Sequence, residues 1–369
     1  MKKVFLEGLL ITVLVFVMAN VVFAEDNIIS TDLYDFSEIE EVIDGTEYSI
    51  NFEDTMKQLA SGESEGIFLD LFKSFFGELL GELIYNKEVV VKVILMAISL
   101  ALINNLSSVF KNGQISETGF FAIYCMIVTV LISGFMAISQ MIGEVLEVLI
   151  GFMNALIPSL MLAMSFMGAY TSKGGFCQLI LMGIMVVEKI ILTFILPIIN
   201  VYVVLMLVNS MVNEDYISKC ASIIDSFVKW FVKTMLAVFT GMNLIQSMML
   251  PSIDGTKIKG IQKLAGMVGG NVAYDVVLVT SNVIKNAIGT ASLIFVVIIV
   301  AVPVIKVWAF SAMYRFTAAI IQPVSDKRVI TAVESVSKGA VLLSRIVIFC
   351  GVLFGITIAI MCIATNNMG

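Results

Sequence analysis

The sequence predicts an all-α, polytopic membrane protein, and four observations support that class. Hydrophobic residues make up 59% of the 369-residue chain, charged residues only 14%, and the mean hydropathy is +1.01. Soluble domains average about 45–50% apolar and about 25% charged residues. Several apolar runs also reach about 20 residues, the length that a helix needs to cross a bilayer. Residues 87–369 are therefore predicted to form a multispan transmembrane domain with about seven or eight crossings.

The predicted spans follow one another along this domain. They lie at about 89–110, 118–143, 148–172, 174–213, 234–253, 286–305 and 346–365. As one helix, 174–213 would be about 60 Å long, twice the hydrocarbon thickness, so it is expected to double back or break near Pro197. The acidic residues 143–147 are expected in a loop outside. The orientation of the spans after residue 234 stays open, because a crossing and a re-entrant 234–253 each conflict with part of the charge distribution.

An N-terminal signal peptide is predicted at residues 1–24. Lys2 and Lys3 precede an apolar stretch, and "NVVFAED" offers Val22 and Ala24 as the residues that precede a cleavage site. An uncleaved first span is the alternative. Either way, the residues that follow would lie on the side of the membrane away from the cytoplasm.

The next two segments are polar or amphipathic. Residues 25–65 are predicted to form a short acidic extracytoplasmic arm, largely flexible, because a segment so short and so acidic cannot bury enough apolar surface to fold alone. Residues 66–86 are predicted to form an amphipathic helix, since Asp70, Glu78 and Glu82 recur at helical spacing opposite Phe and Leu residues. The acidic face of this helix favours a protein partner over anionic lipid.

Two proline-centred segments, "LPIINVY" at 196–202 and "VPVIKVW" at 302–308, suggest an internal repeat with units 174–253 and 286–365. In each unit the proline segment is followed by a helix in which an acid precedes a lysine by four residues. Duplicated units with broken spans occur in transporters and channels. Chance similarity between apolar segments is the alternative.

Ionisable residues inside an apolar run are candidate functional groups, because charge within a membrane is costly. Prolines in such runs are candidate break points. For Lys189, the alternative is that its long side chain extends to the membrane–water interface. The candidate intramembrane polar or gating residues are Glu188, Lys189, Pro197 and Pro303.

Catalytic and cofactor sites have little support in the sequence. The chain has no histidine, which removes the commonest general base and metal ligand. Its five cysteines are widely spaced without a CxxC pair. We therefore expect no catalytic residues, no cofactor and no metal. The net charge of −7 and the lack of a basic domain argue against nucleic-acid binding.

Two stretches resemble a known family. They are "SIDGTKIKGIQKLAGMVGGNVAYDVVLVTSNVIKNAIGTASL" at 252–293 and "MYRFTAAIIQPVSDKRVITAVESVSKGAVLL" at 313–343. Together with the signal peptide, the arm and the multispan body, they resemble stage III sporulation protein AE of endospore-forming bacteria. Ser325, where the family often has Gly, and Val268, in a stretch that often carries Pro, depart from the family pattern.

The resemblance implies a multi-pass component of the mother-cell membrane around the forespore, within a complex that joins the two cells. Its implied partners are a secretion-type ATPase, small membrane subunits and ring-forming subunits, besides the lipid bilayer. Contacts between copies of the chain are a further hypothesis. The arm would face the intermembrane space, and basic surface helices would face the mother-cell cytoplasm. The candidate partner-docking residues are Asp225, Lys229, Lys233, Arg315, Asp326, Arg328, Glu334 and Lys338.

Three function classes are compatible with the sequence. The leading hypothesis is a structural and conducting member of a sporulation channel or secretion apparatus. The second is a self-contained small-molecule or ion permease, which the suggested repeat, the broken spans and Glu188 favour. A membrane enzyme comes third, because no nucleophile with its base is legible.

Overall fold

The computed structural model describes residues 36–44, 51–60, 113–166, 173–211, 217–267, 271–323 and 325–366, with isolated positions between 91 and 99. Within these residues the chain is nearly all helical and has no strand, which confirms the all-α class. The predicted signal peptide and the predicted amphipathic helix at 66–86 lie outside the described residues.

Eight α-helices and one π-helical segment form the described structure. Most are far longer than the mean helix of about 11–12 residues in globular proteins. They are α1 Ser37–Asp44, α2 Phe52–Ala60, α3 Gly113–Phe166, α4 Lys173–Ile190, the π-helical segment Ile191–Ile195, α5 Leu196–Met211, α6 Ser218–Met267, α7 Asn271–Ile321 and α8 Lys327–Asn366.

Helices α7 and α8 form an antiparallel central hairpin around which the other long helices pack. In the most apolar window of each hairpin helix, 78% of the residues are buried, against 28% in α3 and 33% in the helix that ends with α5. The outer helices instead expose large apolar side chains such as Met126, Phe194 and Val201. An apolar interior with an apolar exterior is the arrangement expected of a helical bundle in lipid.

Four segments of the described chain are long and apolar enough to cross a membrane. They are Thr118–Ser159, Met182–Met211, Ala287–Ile321 and Lys327–Ala359. They support a multi-pass membrane protein. The predicted total of seven or eight crossings and the two repeat units stay predictions.

Helix α3 corrects the predicted boundary between two spans. The charge pattern predicted an outside loop at 143–147, but α3 continues from Gly113 to Phe166. Glu144 and Glu147 are exposed on its surface. The segment "GEVLE" is rich in good helix formers and lacks proline, so its charge does not end the helix.

The run around Pro197 also differs from the prediction, because the chain neither doubles back nor breaks there. Instead, α4 passes through the π-helical segment into α5, and the residues at both ends of that segment have right-handed helical dihedrals. Proline has no N–H to donate to the fourth carbonyl before it. Hydrogen bonds to the fifth residue back, over 191–195, accommodate that loss and keep the helix continuous.

Two other continuous helices bear on the predicted spans. Pro303 lies inside α7, which stays α-helical on both sides of it, so the second proline segment does not mark a broken span. Residues 234–253 lie within the single helix α6, which excludes the re-entrant alternative.

Two parts of the acidic arm are folded and packed, which corrects the expectation of a largely flexible arm at those residues. Phe36, directly before α1, is buried together with Ile39 and Ile43 of α1 and Phe52 of α2 in the same apolar core as the long helices. The Phe52 ring centroid lies 6.1 Å from that of Phe152 and 5.3 Å from that of Phe295. The arm does not need to fold alone, because the bundle supplies the apolar surface that its sequence lacks.

Candidate functional site

Glu188 lies in the apolar interior between α4 and α8. Its side chain is completely buried, with 0% exposure. The thiol of Cys350 lies beside the carboxyl group, but neither carboxyl oxygen has a hydrogen-bond partner of ordinary geometry among the described residues. Polar groups buried without a partner are rare and costly. The arrangement suits a group that binds a proton or a small cation during a functional cycle.

The other candidate intramembrane residues do not join Glu188 in one site. Lys189 is exposed, as expected if its chain extends towards an interface. Pro197 is exposed at the start of α5, directly after the π-helical segment that follows Glu188. π-Helical segments occur frequently at functional sites. Pro303 is buried in α7.

A polar cluster joins the two helices of the central hairpin. The hydroxyl groups of Ser311 and Ser337 lie 2.8 Å apart, and the Arg315 Nε–H donates a hydrogen bond to Ser337 Oγ at 3.0 Å. Both serines are buried. Of this cluster only Arg315 was predicted from the sequence, because serines in apolar helices give no distinctive sequence signal.

The start of α8 is held by three interactions of two predicted docking residues. Asp326 Oδ1 accepts a hydrogen bond from the Arg328 backbone N–H at 2.9 Å, as a helix N-cap does. The Asp326 carboxylate also pairs with the Arg328 guanidinium at 3.3 Å. That guanidinium lies 3.5 Å from the ring centroid of Phe120 on α3. These residues fix the hairpin loop against α3, which is a structural role.

One end of the bundle is basic. The Tyr124 hydroxyl near the start of α3 donates a hydrogen bond to the Leu207 carbonyl near the end of α5 at 2.7 Å. Helix α6 begins shortly after α5, and Arg328 at the start of α8 contacts Phe120 of α3. These four helix termini therefore lie at the same end of the bundle. We call this the basic end, because its described charges are mostly positive. They are the basic residues Lys219, Lys229, Arg315, Lys327, Arg328 and Lys338, against the acids Asp225, Asp326 and Glu334.

The remaining docking candidates form two separate exposed stripes. On α6, Asp225 pairs with Lys229, and Lys233 is exposed one turn further along. On α8, Glu334 and Lys338 lie 3.9 Å apart and are each about half exposed. Exposed pairs of this kind contribute about 0.3–0.5 kcal/mol. Both stripes therefore add little to the stability of the fold, and their main feature is an accessible charged surface.

The opposite side of the bundle carries the acidic helices α1 and α2. Gly151 of α3 lies against Val42 of α1, and Phe152 lies against Phe52 of α2. Phe152 is 32 residues from Phe120 along one helix, so the two contacts are about 48 Å apart. The acidic helices and the basic end are thus far apart along α3, and α6 also carries Lys257, Lys259 and Lys263 near its other end.

Comparison with known proteins gives a consistent answer. A family model described as stage III sporulation protein AE matches residues 50–365. A protein of Bacillus subtilis (strain 168), stage III sporulation protein AE, is 22% identical over 318 residues, which cover 85% of this chain and 80% of that protein. No solved structure matches. These matches confirm the family resemblance read from the sequence. The chain belongs to the stage III sporulation protein AE family.

Proposed function

We propose that the protein is an integral membrane component of a mother cell-to-forespore channel or secretion apparatus, needed for forespore development after engulfment. Family membership over residues 50–365 carries the proposal, because it gives the protein a role in stage III of sporulation. The four apolar helical segments support a location in a membrane. On this proposal the protein acts through assembly and conduction, not as an enzyme.

The separation of charge suggests how partners would be arranged. Residues that follow the predicted signal peptide would lie outside the cytoplasm, so the opposite, basic end would face the mother-cell cytoplasm and meet the secretion-type ATPase. The acidic helices α1 and α2 would face the intermembrane space and meet the ring-forming subunits. Glu38, Glu41 and Asp54 are exposed there. Complementary charge mainly raises the rate and specificity of such encounters.

Deletion of the gene is expected to leave growing cells normal and to arrest sporulation after engulfment. The physical reason is that an engulfed forespore, sealed by two membranes, would lose its supply route from the mother cell. Microscopy through sporulation would show engulfed forespores that collapse or stay transcriptionally silent. A wild-type copy at another locus should restore spores. Normal spore yield in the deletion strain would contradict the proposal.

A small-molecule or ion permease is the second candidate function, and Glu188 is the observation that favours it. The Glu188 carboxyl group is fully buried and has no hydrogen-bond partner among the described residues. Such burial destabilises the folded state, so it is unusual in a bundle with a purely structural role. In many transporters such groups bind the coupling ion or proton.

For the permease, Glu188→Gln is expected to abolish ion- or substrate-dependent flux in proteoliposomes, because the amide keeps the shape but cannot bind a cation as a carboxylate does. Glu147→Gln, an exposed carboxylate on α3, is the matched control and should leave flux unchanged. Equal flux with and without the Glu188 carboxyl group would exclude it from transport. If the wild-type protein shows no flux, the permease is rejected and the channel proposal is unaffected.

A further inference from the structure

Six aromatic and basic side chains lie at one level of the bundle, about halfway along it. Both tryptophans of the chain are among them. We call this set the Trp–basic belt. It comprises Lys189, Trp230, Lys233, Lys306, Trp308 and Arg345, and each of these side chains is exposed or partly exposed.

The contact between α4 and α6 sets the level of the first three residues. Gly183 lies against Phe239, and the two helices run antiparallel. Lys189 is six residues after Gly183, and Lys233 is six residues before Phe239, so both lie about 9 Å from this contact in the same direction. Trp230 lies about 5 Å further along α6.

Two further contacts set the level of the other three. Glu188, next to Lys189, touches Cys350 of α8, and Gly351 lies against Val300 of α7. Arg345 is five residues from Cys350, or about 8 Å, towards the basic end. On α7, Lys306 and Trp308 lie about 9 and 12 Å from Val300 in that same direction. The whole belt therefore occupies a layer about 10 Å deep.

The chain continues for a similar length on both sides of the belt. From Lys189 to the end of α5 at Met211 is about 33 Å, and from Arg345 to the end of α8 at Asn366 is about 32 Å in the other direction. The hydrocarbon core of a bilayer is about 30 Å thick, so it can cover only one of these halves.

We propose that the Trp–basic belt marks the plane where the lipid surface meets the bundle and that it binds phospholipid headgroups. Tryptophan concentrates at the membrane–water interface because its ring is amphipathic, and lysine and arginine there contact phosphate groups. Gly143 of α3 lies against Leu196, about 10 Å from Lys189 along the helix, so the exposed acids Glu144 and Glu147 lie in the same layer. The positive side chains outnumber these two acids, which fits an anionic headgroup layer. One half of the bundle then lies in the bilayer, and the other half projects from it.

The depth of tryptophan in the membrane tests this proposal. The full chain would be reconstituted in vesicles of phosphatidylethanolamine and phosphatidylglycerol that contain brominated phosphatidylcholine. Bromine is placed either near the headgroup or near the terminal methyl group of the acyl chain. Trp308→Phe leaves Trp230 as the single tryptophan fluorophore, and Trp230→Phe leaves Trp308. The unmodified protein serves as well, since both of its tryptophans lie in the belt.

We expect both tryptophans to lose more fluorescence to bromine near the headgroup than to bromine near the methyl group. Stronger quenching from the methyl position at either residue would place the belt in the hydrocarbon core and overturn the proposal. Absence of quenching by either brominated lipid would also overturn it, because the belt would then contact protein or bulk water.

Tryptophans placed at two other positions on α6 test on which side of the belt the bilayer lies. Ile223 and Val238 are exposed on either side of Trp230, about 10 and 12 Å away along the helix. In a chain without Trp230 and Trp308, Ile223→Trp and Val238→Trp should behave oppositely. One should be quenched most from the methyl position, and the other most by iodide in the water. The same depth at both positions would overturn the proposal.

Discussion

Phe52→Ala is expected to release α2 from the bundle while the long helices stay folded. The Phe52 side chain is completely buried, and its ring packs against Phe36, Phe152 and Phe295 with centroids 5.3 to 6.1 Å apart. Truncation of a buried phenylalanine costs about 3–5 kcal/mol. A helix of nine residues has little stability of its own. The loss should therefore exceed what holds α2 in place, and hydrogen exchange at residues 52–60 should become fast.

An exposed phenylalanine supplies the matched control for this experiment. Phe316 on α7 is 66% exposed, so Phe316→Ala should leave the exchange of residues 52–60 unchanged. Slow exchange at these residues in Phe52→Ala would show that α2 is held by other contacts. The acidic arm would then be attached independently of the aromatic cluster.

Gly339→Leu is expected to prevent α8 from packing against α5 and α3. A Cβ atom at position 339 would lie 2.9 Å from Phe135 Cε2 and would overlap Val203 Cγ2. Overpacking of a core by a side chain typically costs about 1–3 kcal/mol. The cost should lie at or above that range here, because two neighbours on different helices block the site. We expect a lower Tm in detergent and a reduced yield of folded protein.

Two further variants separate this effect from the loss of a glycine as such. Gly339→Leu combined with Val203→Ala should recover part of the Tm, because the smaller side chain opens the space that leucine needs. Gly241→Ala is the control, since no atom lies within 4 Å of the added methyl group. It should be neutral or raise stability by up to about 1 kcal/mol through helix propensity. Unchanged Tm in Gly339→Leu would show that α3, α5 and α8 leave room for a side chain at position 339.

Composition and apolar run length were sufficient to predict the helical membrane class, but not the helix ends. The predicted loop at 143–147 rested on charge, whereas Glu144 and Glu147 only face outward from a continuous α3. The predicted reversal at Pro197 rested on helix length and on the missing N–H. Neither signal reveals that a π-helical segment can compensate for the backbone hydrogen bond that proline cannot form. Breaks in a helix depend on compensation by neighbours, which a single sequence does not show.

Single residues of the candidate site were easier to predict than their neighbours. Glu188 was identified because an acid within an apolar run is rare. Its neighbour Cys350 is separated from it by the whole of α5, α6 and α7 and looks like any other small apolar residue. Ser311 and Ser337 were missed for the same reason. Pairing across helices depends on which faces meet, and uniformly apolar helices carry little pattern from which to infer this.

The position of the central hairpin has a consequence for biosynthesis. Helices α7 and α8 have the most buried apolar windows of the four candidate spans, yet they follow all the other described helices along the sequence. Domains are released from the ribosome in sequence order. During translation, α3 to α6 are therefore made before the hairpin helices that their buried faces contact. Until α7 and α8 follow, these faces remain without their packing partners in or beside the membrane. The bundle can close only after α8 has left the ribosome, so a helix made after α3 to α7 completes the core.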